Sequence, residues 1–415
     1  MMKSCPALEG DAGVDVVYLD FSKAFDKVDF HTLLKKLKSL GIRGKIGEWL
    51  YAFLTNRTQT VLVNAVRSET MSVISGVPQG SVLGPLLFLI FISDIGENLQ
   101  HSLLSSFADD TRVFKKISSS QDATDFQADL NSIYLWAENN SMAFNSDKFD
   151  LLRYKTPKSL LSAAYKDSDG GDIKESTVIY DLGIQMSNDA KFASHINKTV
   201  ASMKHMSSWV LRSFSSRSRD VMLTTWKSLI LPIHDYCSQL WSPSKIGEIQ
   251  SLELLQWHFL RKIKHVKHDN YWEALENLNM HSLQRRRERY QIIYMWKILE
   301  NIVPNPYIDS QHSSGTLINF TESSRRGRFC NIPYPSPNTT TAVKNIFYNI
   351  FIVHGGKLFN CLPIVIRNLS GCTVEQFKYA LDKHLETILD YPSLPSLRRY
   401  CPASSNSLID IANAI

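Results

Sequence analysis

The residues VVYL at 16–19 form a continuous apolar run that ends in a carboxylate, Asp20. A run so rich in β-branched and aromatic side chains suits a strand covered on both faces, which predicts a central strand of a sheet. A charge at the end of such a strand needs a reason. Further along, SSFADDTRVF (105–114) sets Asp109 and Asp110 side by side between two strand arms. Two bare carboxylates about 4 Å apart repel by roughly 4 kcal/mol at an effective dielectric near 20, so the pair is either splayed into water on an ordinary hairpin turn or held around a cation. If the two strands are neighbours in one sheet, Asp20, Asp109 and Asp110 meet. Three carboxylates around one point make an all-oxygen site of the kind that takes Mg²⁺.

Helix and strand signals frame these acids. Leu33, Leu34, Leu37 and Leu40 fall at helical spacing after Asp29, a candidate cap, and Gly41 stands where that helix would stop. Ile46, Trp49, Leu50, Phe53 and Leu54 mark one face of a second helix. TQTVLVN (58–64) and TMSVISG (70–76) alternate like two strands, and SGVPQGS (75–81) turns into an apolar helix over about 83–92. Phe126, Leu130, Ile133 and Trp136 space another amphipathic helix. NSDKFDLLRY (145–154) supplies a strand, and a polar turn in DSDGGDIKES (167–176) precedes the short apolar strand TVIYDLGIQM (177–186).

From about His195 the pattern becomes helical, with 220–241, 247–263 and 282–302 each reading as a helix of 3.6-residue period. Residues 309–337 read as a linker, and a small helical tail follows, whose last helix opens on a capping box of Thr373 and Gln376. The expected fold class is therefore α+β: a largely antiparallel sheet with helices on one face, followed by an all-helical region. The expected domains are 1–190, 191–308, the linker 309–337 and a helical 338–415.

Composition narrows the partners. The 415 residues, 44% hydrophobic and 21% charged, describe an ordinary globular chain, and a formal charge of +6 permits a nucleic-acid partner without demanding one. Two basic clusters lie in the helical region: Arg261, Lys262, Lys264 and Lys267, then Arg285, Arg286, Arg287 and Arg289. Both are interleaved with aromatics such as Trp257, Phe259, Tyr271, Trp272 and Tyr290, which suits either a phosphate-tracking face or a plain solvated helix face. His258, His265 and His268 lack carboxylate or cysteine partners at ligand spacing and read as surface residues. The six cysteines are scattered with no Cys-x-x-Cys pair, and the longest apolar run, LLFLIFI (86–92), is too short to span a bilayer. An intracellular location with no membrane partner is expected.

Three segments in order, VVYLDFSKAFDKVDFHTLLKKL (16–37), SGVPQGSVLGPLLFLIFISDI (75–95) and FADDTRVF (107–114), resemble successive palm motifs of reverse transcriptases, closest to the non-LTR, jockey-like retrotransposon branch. The resemblance implies a right-hand polymerase palm followed by a helical thumb and connection. Asp20 and Asp109 would bind two Mg²⁺ (or Mn²⁺) ions, with Asp110 completing the acidic cluster. Phe25 would sit under the sugar of the incoming nucleotide and exclude a 2′-hydroxyl. Gly76, Pro78, Gln79 and Gly80 would lie along the template–nucleotide pair. Lys148, in NNSMAFNSDKFDLL (139–152), would protonate the pyrophosphate leaving group, and DLGIQM (181–186) resembles a primer grip. Similarity continues through LILPIHDYCSQLWSP (229–243), LLQWHFLRKI (254–263), RFCNIPY (328–334) and TVEQFKYALDKHL (373–385).

The implied partners are an RNA template, a DNA primer and deoxynucleoside triphosphates, with Arg261, Lys262, Lys264, Arg285 and Arg286 as nucleic-acid contacts. The same resemblance calls for a basic fingers subdomain ahead of Asp20, where few residues stand, so the chain reads as amino-terminally truncated. Two functional expectations follow: an RNA-directed DNA polymerase, or a catalytically inactive palm–thumb remnant that at most binds nucleic acid. An unrelated two-metal nuclease would use similar acids but would leave Phe25 and the Pro-Gln-Gly loop without a role.

Overall fold

The computed structural model describes residues 13–154, 163–264, 270–303, 351–392, 394 and 406–414. The linker expected at 309–337 lies outside the described residues, as do RFCNIPY, His265, Lys267 and His268. The chain divides into two compact units, Gly10–Ile179 and, in the main, Tyr180–Ile415.

The first unit runs β1 (Gly13–Leu19), α1 (Phe30–Ser39), α2 (Gly44–Leu54), β2 (Arg57–Gln59), β3 (Leu62–Val63), β4 (Val66–Arg67), β5 (Met71–Val73), α3 (Leu83–Ile92), β6 (Leu103–Phe107), β7 (Asp110–Ile117), α4 (Ser120–Asn139), β8 (Asp150–Tyr154) and β9 (Lys174–Ser176). Its sheet has the order β6-β7-β1-β8-β9, so the apolar run does form the central strand. β1 pairs antiparallel with both β7 and β8, and only the β8–β9 edge is parallel. This is the mixed α+β architecture expected.

One face of the sheet carries the helices. Val17 lies opposite Val113 on β7 and Leu151 on β8, and this row joins one core with Leu33 and Leu37 of α1, Phe88 and Phe91 of α3, and Phe126, Leu130 and Ile133 of α4. The helices start where local chemistry dictates. The Asp29 side chain accepts from the Thr32 N–H at 2.7 Å, satisfying an orphan donor of α1, and α4 opens on a capping box of Ser119 and Asp122. The same face holds a buried charged pair: Asp15 and Arg153 meet at 2.9 Å, Arg153 also meets Glu175 at 2.7 Å, and Tyr165 donates to the second Asp15 oxygen at 2.7 Å.

Residues 57–73 depart from the two alternating strands expected. They fold as two small nested hairpins, β2–β5 and β3–β4, whose Val61, Leu62, Val63, Val66 and Met71 are all exposed. Alternation was present, but among the described residues no second layer covers its apolar side. On α2 only Leu50 and Leu54 are buried, while Ile46 and Trp49 of the same expected face are exposed.

A hairpin, β10 (Val178–Asp181) and β11 (Ile184–Ser187), turned by Leu182 and Gly183, both at positive φ, begins in the last residues of the first unit and continues into the second. Helices follow: α5 (Ala193–Ser213), α6 (Arg219–Thr225), α7 (Leu231–Asp235), α8 (Ser238–Trp241), α9 (Ile246–Leu260), α10 (Tyr271–Leu278), α11 (Leu283–Leu299), then Phe351–Asn360, Ile364–Arg367, Val374–Glu386 and Leu408–Ala414. The single helix expected over 220–241 is interrupted by a π-helical turn at Trp226–Ile230 and by Cys237 at φ +51°. Pro232, in the first turn of α7, lacks the N–H that a continuous helix would use one turn back, which accounts for the wide turn before it. The core of this unit sets Ile292, Met295 and Trp296 of α11 against Phe351, Phe359, Phe377 and Leu381, with the Trp296 and Phe377 rings stacked at 4.4 Å.

Candidate functional site

The acids are positioned by strand register. Leu19 of β1 lies opposite Thr111 of β7, so the next residues, Asp20 and Asp110, face each other at the strand ends. Asp109 forms the β6–β7 turn with Ala108, which adopts φ +52°, a left-handed conformation that a non-glycine residue takes at a cost of about 1–3 kcal/mol. Burial, then the charges of Asp109 and Asp20, push the Asp110 carboxyl above its ordinary range, while Arg112 and Lys148 oppose this. The Lys148 ammonium meets Asp20 Oδ2 at 3.0 Å.

The donor set suits a hard divalent cation, being all carboxylate oxygen with mutual repulsion that a cation would relieve, and the lysine ammonium stands in for such a charge at Asp20. The acids are not drawn to coordination distance: among the described residues no three His, Cys, Asp or Glu side chains form a ligating group.

Next to the acids, the short 3₁₀ turn Ala24–Asp26 carries Phe25, half-buried and stacked on Phe88 with ring centroids 4.4 Å apart. The loop at 75–81 is fastened to this turn. The Gly76 N–H donates to Val28 O at 2.8 Å, the Val77 N–H to Phe25 O at 2.9 Å, and Ser75 Oγ to Asp26 O at 2.8 Å. Arg57 Nη2 holds the Gly76 carbonyl at 2.6 Å. Gly76 and Gly80 take φ of +87° and +77°, and the Pro78 carbonyl accepts from Ser81 Oγ at the start of α3. Gln79, exposed, donates through Nε2 to Asp26 Oδ1 at 2.7 Å. Asp26 escaped the sequence reading because an acid in a turn has no distinguishing pattern; only its place directly after Phe25 hinted at it.

The two basic clusters separate. Arg261, Lys262 and Lys264 are exposed at the end of α9, with the Arg261 guanidinium 5.6 Å from the Trp257 ring centre. Arg285 and Arg286 do not lie on a free phosphate-tracking face. Arg285 is fully buried and donates to the carbonyls of Ile388 and Leu389 at 3.3 Å each. Arg286 forks onto Asp235 at 2.7–3.0 Å and also donates to Tyr290 Oη. Arg287 is buried against His234, and Arg289 pairs with Asp382. Burial raises the Asp235 carboxyl, yet hydrogen bonds from His234 and Arg286 outweigh it and bring it down to about 2. These arginines hold helices together, Arg286 and Arg289 through acids distant in sequence, Arg285 through backbone carbonyls and Arg287 through His234.

Residues 12–184 match the sequence profile of the family described as reverse transcriptase (RNA-dependent DNA polymerase). Among curated proteins, the chain is 28% identical over 257 residues to the RNA-directed DNA polymerase from mobile element jockey of Drosophila melanogaster, which covers 59% of this chain and 28% of that protein. Its Drosophila funebris counterpart is 28% identical over 273 residues, 62% of this chain and 29% of that protein. The probable RNA-directed DNA polymerase from transposon X-element of Drosophila melanogaster is 26% identical over 250 residues, 58% of this chain and 27% of that protein. The chain thus spans under a third of the length of these relatives. Among solved structures, a telomerase from Candida tropicalis aligns with a TM-score of 0.37 at 11% identity, covering 69% of this chain and 48% of that one. No described helix is long and apolar enough to cross a membrane.

Proposed function

We propose, from the premise that residues 12–184 are a reverse transcriptase domain of the non-LTR retrotransposon kind, that this chain adds deoxynucleotides to a primer 3′-hydroxyl on an RNA template. One observation carries the reading: strand register sets Asp20 against Asp110, next to Asp109, leaving an acidic point whose Asp110 charge is disfavoured by its neighbours. Asp20 and Asp109, with Asp110, would hold two Mg²⁺ or Mn²⁺ ions. When bound, such ions neutralise phosphate charge and make the primer hydroxyl more acidic.

The remaining work falls to the chain's own residues. Phe25, braced by Phe88, blocks the space a ribose 2′-hydroxyl would need. Gln79, its amide nitrogen engaged by Asp26, offers its oxygen as an acceptor beside the backbone of Gly76, Pro78 and Gly80, along which the template–nucleotide pair lies. Lys148 is the proton donor to the departing pyrophosphate. Arg261, Lys262 and Lys264 contact nucleic-acid phosphates.

Primer extension with Mg²⁺ or Mn²⁺ tests this. Asp109→Ala is expected to lower incorporation by about a thousandfold, the worth of several kcal/mol of charge stabilisation. Equal incorporation by the chain and the variant overturns the polymerase reading. In that case a hybrid-binding titration at two salt concentrations decides for a nucleic-acid-binding remnant, whose affinity falls as salt rises.

A further inference from the structure

The segment that carries Lys148 is tied to the strand end that carries Asp20. The Ser22 N–H donates to Ala143 O at 2.8 Å and the Asn145 N–H to Asp20 O at 2.9 Å, while Phe21 and Phe144 form an isolated β-bridge with rings stacked at 4.5 Å. Three residues on, the turn Ser146–Lys148 closes through Lys148 N–H to Asn145 O at 3.0 Å. The backbone therefore delivers the ammonium to Asp20, which it meets at 3.0 Å although the Lys148 side chain is itself 63% exposed. An exposed lysine with no such tether would remain in water, since holding a long side chain in place costs rotamer entropy that a partly exposed pair hardly repays.

We propose that Lys148 is the resident counter-cation of the acidic point, occupying the place at Asp20 that a divalent ion takes and leaving when that ion arrives. The proposal rests on the metal-binding reading above and adds a coupling to it. An ammonium engaged with Asp20 is not available to a phosphate, so loading the cation and freeing the proton donor become one event. Before loading, the lysine also limits the repulsion that would otherwise drive Asp20 away from Asp110. Lys148 thus acts as a positioning residue toward Asp20, distinct from its contact with the leaving group.

The test is Mn²⁺ binding to the full chain, with free ion counted by electron paramagnetic resonance, for the unaltered protein, Lys148→Met, Lys148→Arg and Asp20→Asn. Methionine fits an exposed position without repacking. Its binding is expected to tighten about fivefold, the worth of one partly exposed ion pair, whereas Lys148→Arg, which keeps the charge, stays near the unaltered value. In the Asp20→Asn background Mn²⁺ binds more weakly and Lys148→Met makes no further difference. Reductive methylation of Lys148 is also expected to speed up when Mg²⁺ is added. Binding by Lys148→Met that equals or falls below that of the unaltered chain, with Asp20→Asn still weakening it, overturns the proposal and leaves the metal reading standing. Binding indifferent to Asp20→Asn overturns both.

Discussion

At Gly76 an added Cβ would lie 2.8 Å from both the Cα and the carbonyl oxygen of Asp26, and the residue's φ of +87° is strained for any side chain. Gly76→Ala must therefore push apart the turn that bears Phe25 and the loop that bears Gln79. The expected cost is about 1–3 kcal/mol, read as a lower urea midpoint for the first unit, with Gly80→Ala, whose Cβ meets nothing within 4 Å, costing less. Asp15 shows the opposite kind of constraint. Removing it takes one carboxylate partner from the buried Arg153 guanidinium, which keeps Glu175 at 2.7 Å, and an acceptor from Tyr165, for which about 2–3 kcal/mol is expected in Asp15→Ala, measured by the same unfolding experiment. The glycines were legible because loops of this kind demand them. Asp15 and Asp26 were not, since the partners that give them meaning, Arg153 and Gln79, lie far along the chain.

The elements most legible in the sequence were those whose pattern is satisfied locally or by full burial. β1 announced itself as a two-faced strand, α1 by the Asp29 cap and its leucines, and Val374–Glu386 by the Thr373 capping box. The nested hairpins at 57–73 were misjudged because alternation states only that one side is apolar, not that anything covers it. The basic stretch of α11 was misjudged for a related reason: a run of arginines looks alike whether water or distant carboxylates receive it. The two clusters should accordingly respond differently to substitution. Replacing Arg261, Lys262 and Lys264 together by alanine is expected to weaken nucleic-acid binding and to flatten the plot of log affinity against log salt by roughly 2 to 3, with folding intact. Arg285→Ala is expected to lower the stability of the helical unit by about 3 kcal/mol or more, seen as a reduced denaturation midpoint before any effect on binding can be read.

Across the molecule, pH acts through buried groups of opposing sign. Burial pushes His195, His234 and His354 down to about 4, so their unfolded forms take up protons first as pH falls below the ordinary 6.5, and stability is lost between there and 4. Glu288 runs the other way. Burial raises its carboxyl to about 7, so its contribution is complete below the ordinary 4.5 and is lost as pH rises toward 7. The three histidines outweigh Glu288 and Glu253, whose carboxyl burial also raises, and the urea midpoint of the helical unit, followed by fluorescence of Trp226, Trp241 and Trp296, is expected to fall from pH 6.5 to 4.5. Glu288→Gln, which removes part of the opposing contribution, steepens that fall. The central place of β1 has a further consequence during synthesis. The strand leaves the ribosome ahead of its ladder partners, β7 on one side and β8 on the other, so Gly13 waits for Ile117 and Val14 for Tyr154. Until those residues emerge, a nascent chain holds an aliphatic strand with two unpaired edges, which makes it a client for chaperones and dependent on the pace of translation.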